Sequence, residues 1–191
     1  MALRKPPLYD THADRGATFT GFGGWEMPVE FDSIRDEHRT VRDAAGIFDV
    51  SHMGELEVGG PDATGLMQRL TTNDVTALDP GDSQYAAITD AEGVMHDDTV
   101  VYRLEDDGAG DPRYLFVPNA GHDDEMHARW TSHRDEWGLD ATVSNRTEDY
   151  AMFAVQGPDA VGLVDDLAEG SVGGLSKFQA DWFDVAGVRC W

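Results

Sequence analysis

The chain has 191 residues, 40% of them hydrophobic, enough for a real core in one domain or in one domain with a small appendage. Acidic residues outnumber basic ones 37 to 14, for a formal net charge of -23, so the surface repels nucleic acid and anionic lipid and neither is an expected partner. The excess is spread along the chain, only Lys5 and Lys177 are lysine, and the expected setting is high salt, where self-repulsion is screened.

Cys190 is the only cysteine, which excludes an intrachain disulfide. Met1 to Pro7 lack the apolar core of a signal peptide, and no window approaches the roughly 18 apolar residues of a membrane span. The expected location is the cytoplasm.

In chain order, residues 8–31 read as mostly irregular, with glycines packed among Phe22, Trp25 and Met27. Ser33 is placed as the N-cap of a helix running to about Ala45, with Asp36 as a weak capping-box partner. Ile34, His38, Val41 and Ala45 fall on one side of it, and Arg35, Arg39 and Arg42 share it as a small basic patch or as solvated partners of Asp36 and Glu37. Ile47 to Val58 alternates in its later part and reads as one strand with an irregularity at Ser51-His52. After the Gly59-Gly60-Pro61 turn, Ala63, Leu66, Met67 and Leu70 give a helix its apolar stripe.

Ser83–Thr89 and Asp98–Leu104 flank the turn Asp90-Ala91-Glu92-Gly93 and predict a β-hairpin. Tyr114–Val117 is a strand, followed by a helix from about His122 to Glu136. His122, His127 and His133 lie on that helix five and six apart, whereas a helical metal pair wants a spacing of about four, so no metal site is expected. Short strands follow at 140–143 and 151–155, then a helix after Gln156-Gly157-Pro158-Asp159, then a terminal hairpin turning at Ala186-Gly187. The irregular alternation of short strands and helices, without G-x-G-x-x-G, P-loop, G-x-S-x-G or H-E-x-x-H spacing, indicates an α+β fold with mixed or antiparallel sheets and packed helices.

The stretch that carries chemistry is Gly93-Val94-Met95-His96-Asp97-Asp98-Thr99-Val100-Val101-Tyr102. Side chains alternate along a strand, so Asp97, Thr99 and Val101 share one face and Asp98, Val100 and Tyr102 the other. One carboxylate then points into the fold and its neighbour does not. An inward carboxylate can accept a hydrogen bond from a substrate nitrogen or serve as a base. The same pair also suits ordinary turn chemistry and a solvated charge.

Several stretches together resemble the T-protein of the glycine cleavage system, a tetrahydrofolate-dependent aminomethyltransferase. They are Leu8-Tyr9-Asp10 with His12, Gly24-Trp25-Glu26-Met27-Pro28, Glu37-His38 with Val41-Arg42, and Gly46-Ile47-Phe48-Asp49-Val50-Ser51-His52-Met53-Gly54-Glu55. Thr72-Asn73-Asp74, Gln84-Tyr85, Asp97-Asp98 with Val101-Tyr102, Asn119-Ala120 and Gln156-Gly157-Pro158 follow in order. The resemblance implies an aminomethyl group received from the lipoyl arm of H-protein, released ammonia and a carbon passed to tetrahydrofolate. It implies Asp97 as the catalytic aspartate, orienting folate and helping to deprotonate its attacking nitrogen. Met53, Tyr85, Tyr102 and Asn119 match positions that line the family's folate cavity, although strand and core packing explains the same residues.

The family's pattern continues past this point with a Ser-Arg-Thr-Gly-Tyr-Thr-Gly-Glu segment and two further structural units, so residues 1–191 are expected to be the N-terminal portion of the folate-binding domain, C-terminally incomplete. Weak folate binding and little turnover are the corresponding expectation. Two related readings carry the same architecture: the folate domains of sarcosine and dimethylglycine dehydrogenases, and non-enzymatic relatives in iron–sulfur protein maturation. A non-catalytic remnant is the third alternative.

Overall fold

The computed structural model describes residues 2–191. In chain order the elements are α1 (Tyr9–Asp14), β1 (Thr18–Phe22), β2 (Trp25–Glu30), α2 (Ile34–Asp43), β3 (Gly46–Asp49), β4 (Leu56–Gly59), α3 (Ala63–Leu70), β5 (Ser83–Thr89) and β6 (Met95–Leu104). They continue as β7 (Arg113–Val117), α4 (Asp123–Trp137), β8 (Thr142–Asn145), β9 (Phe153–Gln156), α5 (Ala160–Asp165), β10 (Ala168–Glu169), β11 (Phe183–Val185) and β12 (Val188–Cys190). All strand pairs within these sheets are antiparallel, as expected for an α+β fold.

The residues group into two compact units, one comprising the chain up to His52 with Ala151–Ser176 and Asp181–Trp191, the other Met53–Tyr150 with Lys177–Ala180. In the first, residues 8–31 are more regular than their composition suggests. Gly23 and Gly24 have φ of 55° and 84°, the left-handed pair that a tight two-residue hairpin turn needs, and β1 and β2 pair across it. Ser33 caps α2, its hydroxyl accepting from the Asp36 amide, while Glu37 reaches back to the amides of Phe31 and Asp32. The stripe expected on α2 is not buried; Ile34 and His38 are exposed.

The single strand expected over Ile47–Val58 is two strands in two sheets: β3 pairs with β9, and β4 lies between β7 and β8. Each half finds a different partner strand, and side-chain hydrogen bonds hold the bend between them. The Asp49 carboxylate accepts from the Ser51 amide and pairs with His12, which holds the chain out of the ladder before the alternation of the later half resumes.

The second unit holds a five-stranded sheet in the order β5-β6-β7-β4-β8. One face packs on α3 and α4 around Leu56, Leu66, Met67, Ile88, Val101, Phe116 and Trp130. The α3 stripe read from the sequence, Ala63, Leu66, Met67 and Leu70, is buried throughout. Trp130 stacks on Phe116 with ring centroids 4.4 Å apart. The β5–β6 hairpin forms as expected, except that β6 begins at Met95 rather than Asp98.

Candidate functional site

The site is built where β7 leaves β6. The last ladder pair between them is Val100 with Val117, and Pro118 has no amide to donate. Two side chains on the inward face of β6 take over as acceptors. Thr99 Oγ1 accepts from the Val117 amide at 2.9 Å, and Asp97 Oδ2 accepts from the Asn119 amide at 3.1 Å. The alternation read from the sequence therefore holds: Asp97 is 5% exposed, Thr99 and Val101 are buried beside it, and Asp98 and Tyr102 lie on the opposite face.

The Asn119 side chain joins the two carboxylates, its Nδ2 donating to Asp97 Oδ1 and to Asp98 Oδ1, both at 2.6 Å. Asp97 Oδ1 also accepts from the Asp98 amide at 2.8 Å, and Oδ2 meets His122 Nδ1 at 3.0 Å. On the other face the Tyr85 hydroxyl donates to Asp98 Oδ2 at 2.7 Å. That bond and the Asn119 bond hold the Asp98 carboxyl below its ordinary range, and the same carboxylate raises the Tyr85 phenol. Burial raises the Tyr102 phenol.

Of the residues expected at the site, Asp97, Asn119 and Tyr85 are brought into one hydrogen-bonded cluster through Asp98. Tyr102 stands four residues along β6 from Asp98 on the same face, and Met53 immediately precedes Gly54, whose amide donates to the Pro118 carbonyl at 3.1 Å. Neither has a polar bond to the cluster among the described residues. Cβ on Gly54 would come within 2.8 Å of Pro118 Cγ and 3.1 Å of Asp123 Cβ, so only glycine lets this segment close on the 118–123 turn.

Two groups were missed in the sequence. His122 is the N-cap residue of α4, brought to Asp97 by the turn Asn119-Ala120-Gly121-His122, in which the His122 amide donates to the Asn119 carbonyl. Glu55 is 2% exposed, and neither of its carboxyl oxygens has a hydrogen-bond partner among the described residues. Burial, with Asp123 nearby, pushes its pKa up to about 8. Nothing in the local alternation around Glu55 marks it as buried; only the tertiary packing encloses it. His127 and His133 are not near one another's partners: His127 meets the Val143 carbonyl and His133 stacks on Trp137. No group of three or more potential metal ligands occurs among the described residues, and no helix among them is long and apolar enough to cross a membrane.

As chemistry, the cluster is a pair of carboxylates, one buried and one turned outward, rimmed by a phenol, an amide and an imidazole. Ionised carboxylates only accept, so the arrangement suits a ligand that presents N–H donors, with Tyr85 and Tyr102 offering flat apolar surface on the outward face.

The same fold occurs in the solved glycine cleavage system aminomethyltransferase T from Bartonella henselae, with a TM-score of 0.83 and 29% sequence identity over 95% of this chain and 49% of that one. Residues 8–191 match the family model described as GCVT N-terminal domain, and the chain belongs to that family. Among curated relatives, a protein of Halobacterium salinarum named "Probable aminomethyltransferase" is 63% identical over 100% of this chain and 52% of its own length. An "Aminomethyltransferase" of Bacillus subtilis is 42% identical over 98% of this chain and 50% of its own. The chain thus spans about half the length of the curated relatives it matches.

Proposed function

We propose that this chain serves an aminomethyltransferase of the glycine cleavage system, in which the carbon of an aminomethyl group on the lipoyl arm of H-protein passes to tetrahydrofolate and ammonia is released. The observation that carries the reading is the buried Asp97 carboxylate, held by Asn119 and His122, with Asp98 and Tyr85 facing outward beside it. The amines of a reduced pterin are where such a carbon arrives, and they are donors that an acceptor-only carboxylate pair recognises. Asp97 supplies the fixed negative charge that organises the site. Asn119 couples the two carboxylates, Tyr85 holds Asp98, and Met53 and Tyr102 contribute apolar walls. Family membership and the names of the relatives support the reaction class.

Isothermal calorimetry with tetrahydrofolate in high-salt buffer tests this on the chain and its Asp97→Asn form. Charge-assisted hydrogen bonds are worth about 1.5–3 kcal/mol, so the substitution should weaken binding roughly 10- to 100-fold. Equal affinity of the two forms, or no heat with the unmodified chain, overturns the reading for these residues.

A further inference from the structure

Helix α2 carries Arg35, Arg39 and Arg42 and buries none of its residues. At 3.6 residues per turn the three arginines fall within an arc of about 60°. Val41 and Ala44 lie on the opposite side, Val41 Cγ2 against Gly46 and the Ala44 carbonyl accepting from the Asp159 amide. The helix is thus held by its other face, and all three arginines are exposed.

Their surroundings do not neutralise them. Arg103, Arg113, Arg134, Arg146 and Arg189 each pair with a carboxylate. Arg35, Arg39 and Arg42 have no ion pair, side-chain hydrogen bond or ring contact among the described residues. The acids beside them are engaged elsewhere or stand apart. The Glu37 carboxylate accepts from the Phe31 and Asp32 amides, and that of Glu30 from the Ile34 amide. Partnership with Asp36 and Glu37, one of the two readings the sequence allows, is therefore not formed. Helix stability does not account for the row either. Like charges three and four residues apart repel, and Arg35 in the first turn opposes the positive end of the helix dipole. In a chain of net charge -23, three unpaired cations in one row are a local exception.

We propose that the outward face of α2 is a docking surface for an acidic peptide segment of a partner protein, its carboxylates received by Arg35, Arg39 and Arg42. The outer two arginines stand about 10 Å apart along the axis, the reach of carboxylates on successive turns of a facing helix. Each guanidinium fork takes a carboxylate through two parallel N–H···O bonds. These are contacts at about the 3 Å screening length of 1 M salt, so salt weakens them less than it weakens repulsion over longer distances. A nucleic acid would carry its phosphates on past the acidic remainder of the chain, and its affinity falls steeply as salt rises. Carboxylates grouped on a protein are the occupant that charge complementarity favours. Neither this surface nor its occupant depends on the aminomethyl-transfer reading.

The test is a titration of the 15N-labelled chain in 1 M KCl with a synthetic helical peptide bearing Glu at positions i, i+4 and i+7. It is read at the α2 amides and the arginine Nε–H signals. Saturable shifts confined to α2 are expected. The combined Arg35→Gln, Arg39→Gln, Arg42→Gln form should bind roughly 10-fold more weakly, the sum of three exposed ion pairs. The combined Lys form keeps the charge and the fold-independent part of the attraction, and should still bind several-fold more weakly because the fork is lost. Absence of saturable shifts on α2, or equal affinity of the unmodified and Lys forms, overturns the proposal. So does a single-stranded oligonucleotide of equal charge that binds α2 as tightly as the peptide. A dimer in sedimentation that the Lys form abolishes would make the occupant a second copy of the chain, and would overturn it as well.

Discussion

Glu55 shows what burial does to a single titratable group. With both oxygens buried and unpartnered among the described residues, its carboxyl keeps its proton in the folded chain to a pKa of about 8, against 4.5 in the unfolded one. A raised folded pKa means that the folded state binds the extra proton. Stability from this group is then full below about pH 4.5 and falls as pH rises, levelling off above about 8. The slope approaches about 1.4 kcal/mol per pH unit at most. Glu55→Gln keeps the size and removes the ionisation. We expect its urea-unfolding free energy to lose much of that slope between pH 5 and 8, and the variant to exceed the unmodified chain by roughly 1–3 kcal/mol at pH 8. Parallel pH curves for the two forms would show that Glu55 ionises normally.

At the scale of elements, the site depends on a close approach between the segment entering β4 and the turn entering α4. Gly54 is the contact point, facing the Pro118 ring and Asp123 Cβ, neither of which is the flexible end of a side chain. Gly54→Ala should therefore displace the Pro118–Asn119 backbone rather than a rotamer. Overpacking of this kind costs about 1–3 kcal/mol. Because Asn119 donates to both carboxylates, the same variant should lose tetrahydrofolate affinity together with stability. Trp130→Ala, by contrast, empties the stack on Phe116 and leaves the Asn119 turn untouched. Its expected cost is about 3–5 kcal/mol, read by urea unfolding. A loss for Gly54→Ala in neither stability nor affinity would mean that the turn absorbs the methyl group freely.

For the molecule as a whole, the net charge of -23 sets the conditions under which the chain folds. The high-salt setting expected from the composition is in keeping with the 63% identical relative from Halobacterium salinarum. Salt shortens the screening length from about 8 Å at 0.15 M to about 3 Å at 1 M, which removes most repulsion between exposed carboxylates. The urea midpoint of unfolding should accordingly rise steadily from 0.1 M to about 2 M KCl. A flat response would show that pairing within the surface already offsets the charge. The buried apolar cluster lies entirely in the unit built on residues 53–150, whereas Ile47, Phe48, Val161, Leu163 and Leu167 of the other unit are exposed.

How much of this was legible in the sequence follows from the range of the forces involved. The facing of Asp97 and Asp98, the α3 stripe, the Ser33 cap and the β5–β6 hairpin rest on periodicity and local hydrogen bonds, which a few consecutive residues encode. The likeness to the T-protein was carried by ordered motifs over nearly the whole chain. The hairpin at Gly23-Gly24 was also local and was missed because aromatics and glycines masked its alternation. The rest was decided by tertiary structure. Asn119 and His122 reach Asp97 across 22 and 25 residues because β7 departs from β6 at a proline, and Glu55 is sealed by elements distant in the chain. The division of residues 46–59 between two sheets likewise depends on which strand each half finds as a partner. Local pattern determined which residues could be acidic, capped or inward. Only the packing of strands far apart in sequence decided which of them meet.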